Sequence, residues 1–396
     1  MTLRAADTRR VVVCNDGVAS PNKGDQAIWR AMQAQLAREL GDVELTPVPF
    51  SGIRSPAAFG RFAAALRGAQ ALVLGGGHPF QDLTSQAFLG FALGAVATAR
   101  ALGRPTFCYA VGAGPFVSSF GRRATPLVLG RGVHLTVRDP VSAEILRDLG
   151  VAAERLEETA DPAFTLPPAP PGRARALLDA CGVPDDRPLV VVAPRRWFHY
   201  RGSLLPVRPG SSGDAGKLAS LTTALVRCLD DVVASGHHIV FVAMRSGGIR
   251  PVPGQDDDLY AAELRARMKT PESATLLPCE PLSPEEISSV FGLARFAVCV
   301  RMHALIFAAT HGVPTLGIAY GRSKGEGIFT KLNLPSECWM DIDDAAGDVL
   351  VERMRWIQAR EAMLREALAR VLPEIIAQAE RTPRLLAELL DRGGRR

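Results

Sequence analysis

Residues 72–111 read LVLGGGHPFQDLTSQAFLGFALGAVATARALGRPTFCYAV, and the order of signals in this stretch decides the fold. Leu72–Gly75 and Thr106–Val111 are short apolar runs, Ser85–Leu102 is a longer, helix-like segment, and glycines and prolines separate them. Strand, helix and strand in that order form a βαβ unit, in which the helix carries the chain back so that the two strands run parallel.

The same alternation extends in both directions. Arg10–Cys14 precedes the unit as a strand; Leu135–Arg138 and a shorter run before Asp161 follow it, with helices expected over Asp25–Leu40 and Val141–Leu149. Pro167 to Gly172 holds four prolines and a glycine, which removes backbone donors and ends regular structure. The alternation then restarts with strands at Leu189–Ala193, His238–Met244, Ala297–Val300 and Thr315–Ala319 and a helix over Lys217–Ala234, and the chain from Val351 onward reads as one or two long helices that close the second domain or brace the first. The expected fold is α/β: two doubly wound Rossmann-like domains, 1–170 and 171–396, facing across a cleft. Ligands of such sheets bind at the carboxyl ends of the strands.

Bulk properties agree with this. At roughly 100 to 200 residues per domain, 396 residues call for two. A formal charge of +5 without massed basic runs, and only 6% aromatic residues, argue against a nucleic-acid partner. The mild positive excess suits an anionic small substrate or attraction to an anionic membrane surface. Seven scattered cysteines without a CxxC pair exclude a disulfide framework or zinc ribbon and point to a reducing, cytoplasmic setting. The apolar run Val11–Cys14 is too short for a secretion signal. Ala87–Leu102 carries an arginine and falls short of the ~20 residues needed to span a bilayer, so a buried helix is expected there.

Four places could carry chemistry. In Ala297-Val-Cys-Val-Arg-Met-His303 a strand ends on Arg301 and passes into a helix at His303; a cation and an imidazole at a helix N-terminus suit an anion, though a capping arginine with a buried histidine fits as well. Arg195 and Arg196 end the strand of Val191-Val-Ala-Pro-Arg195-Arg196-Trp197; adjacent residues of an extended chain diverge, so one should face the cleft. Gly75, Gly76, Gly77 and His78 follow a strand and let the backbone approach a ligand. Asn15 closes the first strand, Asp25 is expected to cap the first helix, and Asp161 follows a short strand as an orienting or turn-capping residue. Asp256-Asp257-Asp258 reads as first-turn acids rather than a metal site. No G-x-G-x-x-G, Walker loop or H-E-x-x-H is present.

Taken in order, several segments resemble the polysaccharide pyruvyl transferase family: Gly24-Asp25 with Ala27-Ile28; Leu74-Gly-Gly-Gly-His78 with Asp82 and Ser85; Val137-Arg138-Asp139 with Ser142; Gly150-Val151; Ala160-Asp-Pro-Ala-Phe164; Arg195-Arg-Trp197; Arg301-Met-His303; and Gly312-Val-Pro314 through Ala319-Tyr320 to Lys324. The resemblance implies a GT-B-like fold and transfer of pyruvate from phosphoenolpyruvate to a sugar or lipid-linked glycan, with no metal or organic cofactor. It places Arg195, Arg301 and His303 at the donor site. Lys324 would be the family's lysine after Tyr320, one residue later than the usual spacing. His303 is the expected proton donor, Arg195 and Arg301 the anion clamp, and Asp161 or Asp25 the groups that help deprotonate hydroxyls; Arg196, Lys324, Tyr320, Gly76, Gly77, His78, Asp25 and Asn15 are expected around substrate. The glycine- and proline-rich stretch 198–214 looks long for the family and reads as a lid or acceptor-selecting loop. Peripheral contact with the inner membrane surface would suit a lipid-linked acceptor. A GT-B glycosyltransferase using a nucleotide sugar, and a non-catalytic binder of anionic glycans, are the competing readings.

Overall fold

A computed structural model describes residues 9–53, 55–130, 132–196, 204, 215–247, 256–320 and 325–393. Trp197, Lys324 and all of the 198–214 stretch except Leu204 lie outside the described residues.

The strands are β1 (Arg9–Cys14), β2 (Val43–Val48), β3 (Ala71–Gly75), β4 (Thr106–Val111), β5 (Val133–Val137), β6 (Leu156–Glu158), β7 (Leu189–Ala193), β8 (His238–Val242), β9 (Ala274–Leu277), β10 (Ala294–Cys299), β11 (Thr315–Ala319) and β12 (Trp339–Asp341). The helices are α1 (Lys23–Leu40), α2 (Pro56–Gly68), α3 (Gln86–Ala101), α4 (Ser119–Val128), α5 (Pro140–Asp148), α6 (Arg173–Ala180), α7 (Ala215–Ala234), α8 (Asp257–Arg267), α9 (Pro284–Phe291), α10 (Met302–Thr310), α11 (Glu326–Leu332), α12 (Val349–Gln358) and α13 (Glu361–Gly393).

Two six-stranded sheets result, ordered β2-β1-β3-β4-β5-β6 and β12-β11-β10-β7-β8-β9, with every strand pair parallel. Helices cover both faces, so β3, β4, β7, β8 and β11 are buried along their whole length, which is why their sequences are continuous apolar runs. The fold is two Rossmann-like domains facing across a cleft, the GT-B-like arrangement.

Strand order fixes where a ligand can sit. The winding reverses between β1 and β3 in the first sheet and between β7 and β10 in the second, and a crevice opens at such switch points because neighbouring connections leave on opposite faces. Asn15 follows β1 and Gly76 follows β3; Arg195 follows β7 and Arg301 follows β10. Both switch points therefore carry chemistry-bearing residues.

The last two helices divide their work. α12 packs on α7 in the second domain, whereas α13 returns to α1 and β4 of the first. Gln35 Nε2 donates to the Ala379 carbonyl at 3.2 Å and Arg9 pairs with Asp391 at 2.8 Å. All seven cysteines are free thiols, six of them buried as small apolar groups. Among the described residues no helix is long and apolar enough to cross a membrane. The Ala87–Leu102 segment is buried on one face only: in α3, Leu89, Ala92, Leu93 and Val96 face the sheet while Ala87, Gly90, Phe91, Gly94 and Ala97 are partly exposed.

Candidate active site

Arg301 sits in extended conformation as the N-cap residue of α10, and His303 is the second residue of that helix. The Arg301 guanidinium is engaged: Nε and Nη2 donate to the two carboxylate oxygens of Asp257 at 2.9 and 2.6 Å. Both partners are buried, with side chains 9% and 1% exposed. Burial pushes the Asp257 carboxyl above its ordinary value, against the pull of Arg301 and of the Met244 amide. The two-pronged geometry nonetheless needs the carboxylate, because only the anion can accept two guanidinium bonds at once. Asp257 thus aims Arg301 along the cavity wall, a role that its place among three consecutive acids at a helix start did not reveal.

The facing wall comes from the first domain. Gly76 and Gly77 adopt φ of 59° and 72°, a left-handed turn that brings His78 back over the end of β3. Arg138, at the end of β5 and 1% exposed, donates to Asp139 at 3.3 Å, Asp161 at 3.1 Å and His78 Nδ1 at 3.1 Å. Because a guanidinium can only donate, His78 Nδ1 is an acceptor, and its Nε2–H donates to the Gly114 carbonyl. His78 is therefore held neutral, with its tautomer fixed. A Cβ on Gly112 would lie 2.2 Å from that Nδ1, so glycine there is required by close approach.

The two walls meet at α1. The Lys23 amide donates to the Met244 carbonyl at 2.8 Å, Asn22 and Arg245 form a bridge, and the buried Lys23 ammonium pairs with Glu280 at 2.8 Å. His303 packs over the α1 backbone at Gly24, and its Nε2 faces Asp161 Oδ2 at 3.7 Å, an ion-pair distance too long for a hydrogen bond. Asp161 is fully buried. Burial would raise its carboxyl, but His303, Arg138 and the Ala163 amide outweigh burial and hold it below the ordinary carboxylate value. Asp161 accordingly lies beneath the site as the anion that orients both His303 and Arg138.

Two adjoining cavities open here. The first, of about 220 Å³, is bounded by Arg138, Arg195, Arg245, Arg301, His303 and Tyr320 together with Asp25, Gly77 and His78. It is smaller than the roughly 300 Å³ at which pockets for drug-sized ligands begin, and it is dominated by cations. The second, of about 310 Å³, is bounded by Asn15, Asp16, Asp25, Gly76, His78, Phe50 and Phe88 and also by Arg245. Asp25, Gly77, His78, Thr84 and Arg245 border both.

Most of the expected residues converge. Arg195 donates to the Tyr320 hydroxyl and stacks 4.4 Å from its ring centroid. Arg196 does not join them: it turns to Glu263 at 2.7 Å and lies over Tyr260, and it borders neither cavity. Asn15 ties β1 to the Gly75 carbonyl and caps the turn at Gly17. Asp25 is not the helix cap; Asn22 is, accepting from the Gly24 amide at 2.9 Å. Asp25 instead accepts from Ser20 Oγ at 2.8 Å and points to the cavities. Arg245 was not singled out from the sequence, and Arg138 only as part of a matching segment. Neither has a local signature, since both follow ordinary strands. Among the described residues no group of three or more His, Cys, Asp or Glu side chains could hold a metal ion.

A family model described as polysaccharide pyruvyl transferase matches residues 22–322. No curated protein matches. Among solved structures, a glycosyltransferase from Rickettsia africae superposes with a TM-score of 0.59 at 10% identity, covering 97% of this chain and 99% of that one. HepE of Anabaena, in complex with UDP-glucose, gives 0.58 at 13% identity, covering 97% and 99%. A UDP-GlcNAc 2-epimerase from Methanocaldococcus jannaschii gives 0.52 at 11% identity, covering 88% and 92%. At these identities the likeness is one of fold.

Proposed function

The chain belongs to the polysaccharide pyruvyl transferase family, and from that premise we propose that it moves pyruvate from phosphoenolpyruvate onto a hexose diol of a cell-surface polysaccharide or its lipid-linked precursor, forming a ketal and releasing phosphate. The observation that carries this reading is the small cavity in which Arg195, Arg245 and Arg301 surround His303. Phosphoenolpyruvate bears a carboxylate and a phosphate on one small enol, and converging guanidinium groups match both anions.

His303 delivers a proton to the methylene carbon, and positive charge develops at the adjoining carbon. An acceptor hydroxyl from the second cavity attacks that carbon and gives up its proton, for which Asp25, on the border of both cavities, is the nearest fit. The carbon–oxygen bond to phosphate breaks, phosphate leaves, and the second hydroxyl closes the ketal with loss of its own proton. Asp161 keeps the imidazole oriented from below without touching substrate. Arg138 holds Asp161 and His78 in register. Proton donation by a positioned side chain accounts for about 100- to 10,000-fold of rate.

The experiment is incubation of the protein with phosphoenolpyruvate and a panel of lipid-linked or nucleotide-linked hexoses, following released phosphate and product mass. The reading requires a gain of pyruvate minus water; transfer of a hexose from a nucleotide sugar without phosphate release from phosphoenolpyruvate would replace it with glycosyl transfer.

A further inference from the structure

We propose that the outer layer of the first domain, α2, α3 and α4, is a docking face for an anionic lipid bilayer, set beside the mouth of the acceptor cavity. This deepens the reading above and rests on it only for the claim that the acceptor is lipid-linked.

From Leu45 to Arg138 the chain carries nine arginines and a single acid, Asp82, whereas the whole chain has 41 acids in 396 residues. Asp82 is fully buried and used internally, accepting from the Val117 and Ser118 amides at 2.6 and 3.0 Å. The three helices therefore present no carboxylate to solvent. On α4, Phe120 and Leu127 are 45% and 74% exposed and stand seven residues apart, on one helix face, with Arg122 and Arg123 exposed beside them. On α2, Phe59 is 43% exposed, near Arg61 and Arg67. Between them runs the uncharged outer stripe of α3, and Arg100 of α3 donates to the Leu127 carbonyl at 3.4 Å.

Single exposed apolar side chains need no explanation. Aromatic and leucine tips framed by arginines that have no counter-charge among the described residues are another matter, because that combination gains from both acyl-chain contact and anionic headgroups. The position reinforces it. Phe88 of α3 borders the acceptor cavity, and Asp82, on the loop that follows His78, anchors the start of α4. A glycan on a membrane-held carrier would thus reach the cavity from the surface on which the protein rests.

The test is co-sedimentation of the full chain with vesicles of phosphatidylcholine alone or of phosphatidylcholine with phosphatidylglycerol. Binding is expected only to the second, weakening as salt rises. The pair Arg122→Glu and Arg123→Glu should lower the partition by about 25-fold or more, at about fivefold per arginine lost, and Leu127→Asp should lower it too. Arg370→Glu on α13, at a side chain 75% exposed, should leave it unchanged, and all variants should keep their thermal unfolding and their phosphoenolpyruvate-induced shift. Absence of binding to phosphatidylglycerol vesicles, an equal loss from Arg370→Glu, or dissociation of a dimer by Leu127→Asp with vesicle binding intact would each overturn the docking face. Vesicle binding with no phosphoenolpyruvate shift would instead sink the donor assignment and leave the docking face standing.

Discussion

The α-carbon of Gly24 forms part of the wall against which the His303 ring rests: a Cβ built on Gly24 would lie 2.2 Å from Nδ1. Glycine here serves close approach rather than backbone freedom, since residue 24 is helical. Gly24→Ala must therefore displace the imidazole. A displacement near 1 Å of a reacting group can cost about 100-fold in rate, so the variant should lose about that much phosphate release while its melting temperature and phosphoenolpyruvate binding change little. Parallel turnover and thermal-shift measurements check this.

Asp257 and Arg301 form a buried, two-pronged pair. Removing one partner strands the other charge away from water, at a cost of about 3–5 kcal/mol. Asp257→Asn should therefore lower stability by that order in denaturant unfolding, and Arg301→Met added to it should restore part of the loss because no stranded cation remains. A double variant as unstable as the sum of the two single variants would contradict the pairing.

Arg195 borders the small cavity and Arg196 turns away to Glu263. Arg195→Ala should raise KM for phosphoenolpyruvate about tenfold or more, in line with loss of a charge-assisted contact. Arg196→Ala removes a partly exposed pair of about 0–1 kcal/mol and should leave KM within about a factor of two. Steady-state kinetics on the two variants separates them.

The depressed carboxyl of Asp161 makes a signed prediction. Its folded value lies below its unfolded one, so its ionisation stabilises the protein above the ordinary carboxylate range, and that contribution is lost as pH falls through the folded value. Unfolding free energy followed from neutral to acidic pH should therefore drop in wild type below the ordinary Asp value near 3.8, with that part of the slope missing in Asp161→Asn. Identical slopes in the two proteins would show that Asp161 is not the titrating anion.

The buried central strands were legible in sequence because burial on both faces demands continuous apolar runs. The strands that were not legible are those at sheet edges: β2 contains Pro47 and is only half-buried, and β9 and β12 are short. None carries the run that marks a central strand, and all three owe their pairing to a neighbour.

In the site, Arg195, Arg301, His303 and the Gly76–His78 turn stood out in sequence because each follows a strand, and those strands flank the switch points. Asp257 was not, because its partner lies 44 residues away and a local reading finds helix-start acids sufficient. The direction of Arg196 was undecidable locally: two adjacent arginines carry the same signal, and only Glu263 on α8 settles which turns outward. The helix cap fell three residues from the expected one because both Asn22 and Asp25 can accept backbone amides, and the Asn22–Arg245 bridge fixes where the helix begins.

The proposed mechanism has His303 supply the proton while the arginines hold the donor. Its most direct measurement is phosphate release from phosphoenolpyruvate in the presence of a working acceptor, with donor binding followed separately, in wild type, His303→Gln and Arg301→Ala. His303→Gln should lose about 100- to 10,000-fold of turnover yet still bind phosphoenolpyruvate, whereas Arg301→Ala should lose binding as well. Equal and small effects from both substitutions would contradict it.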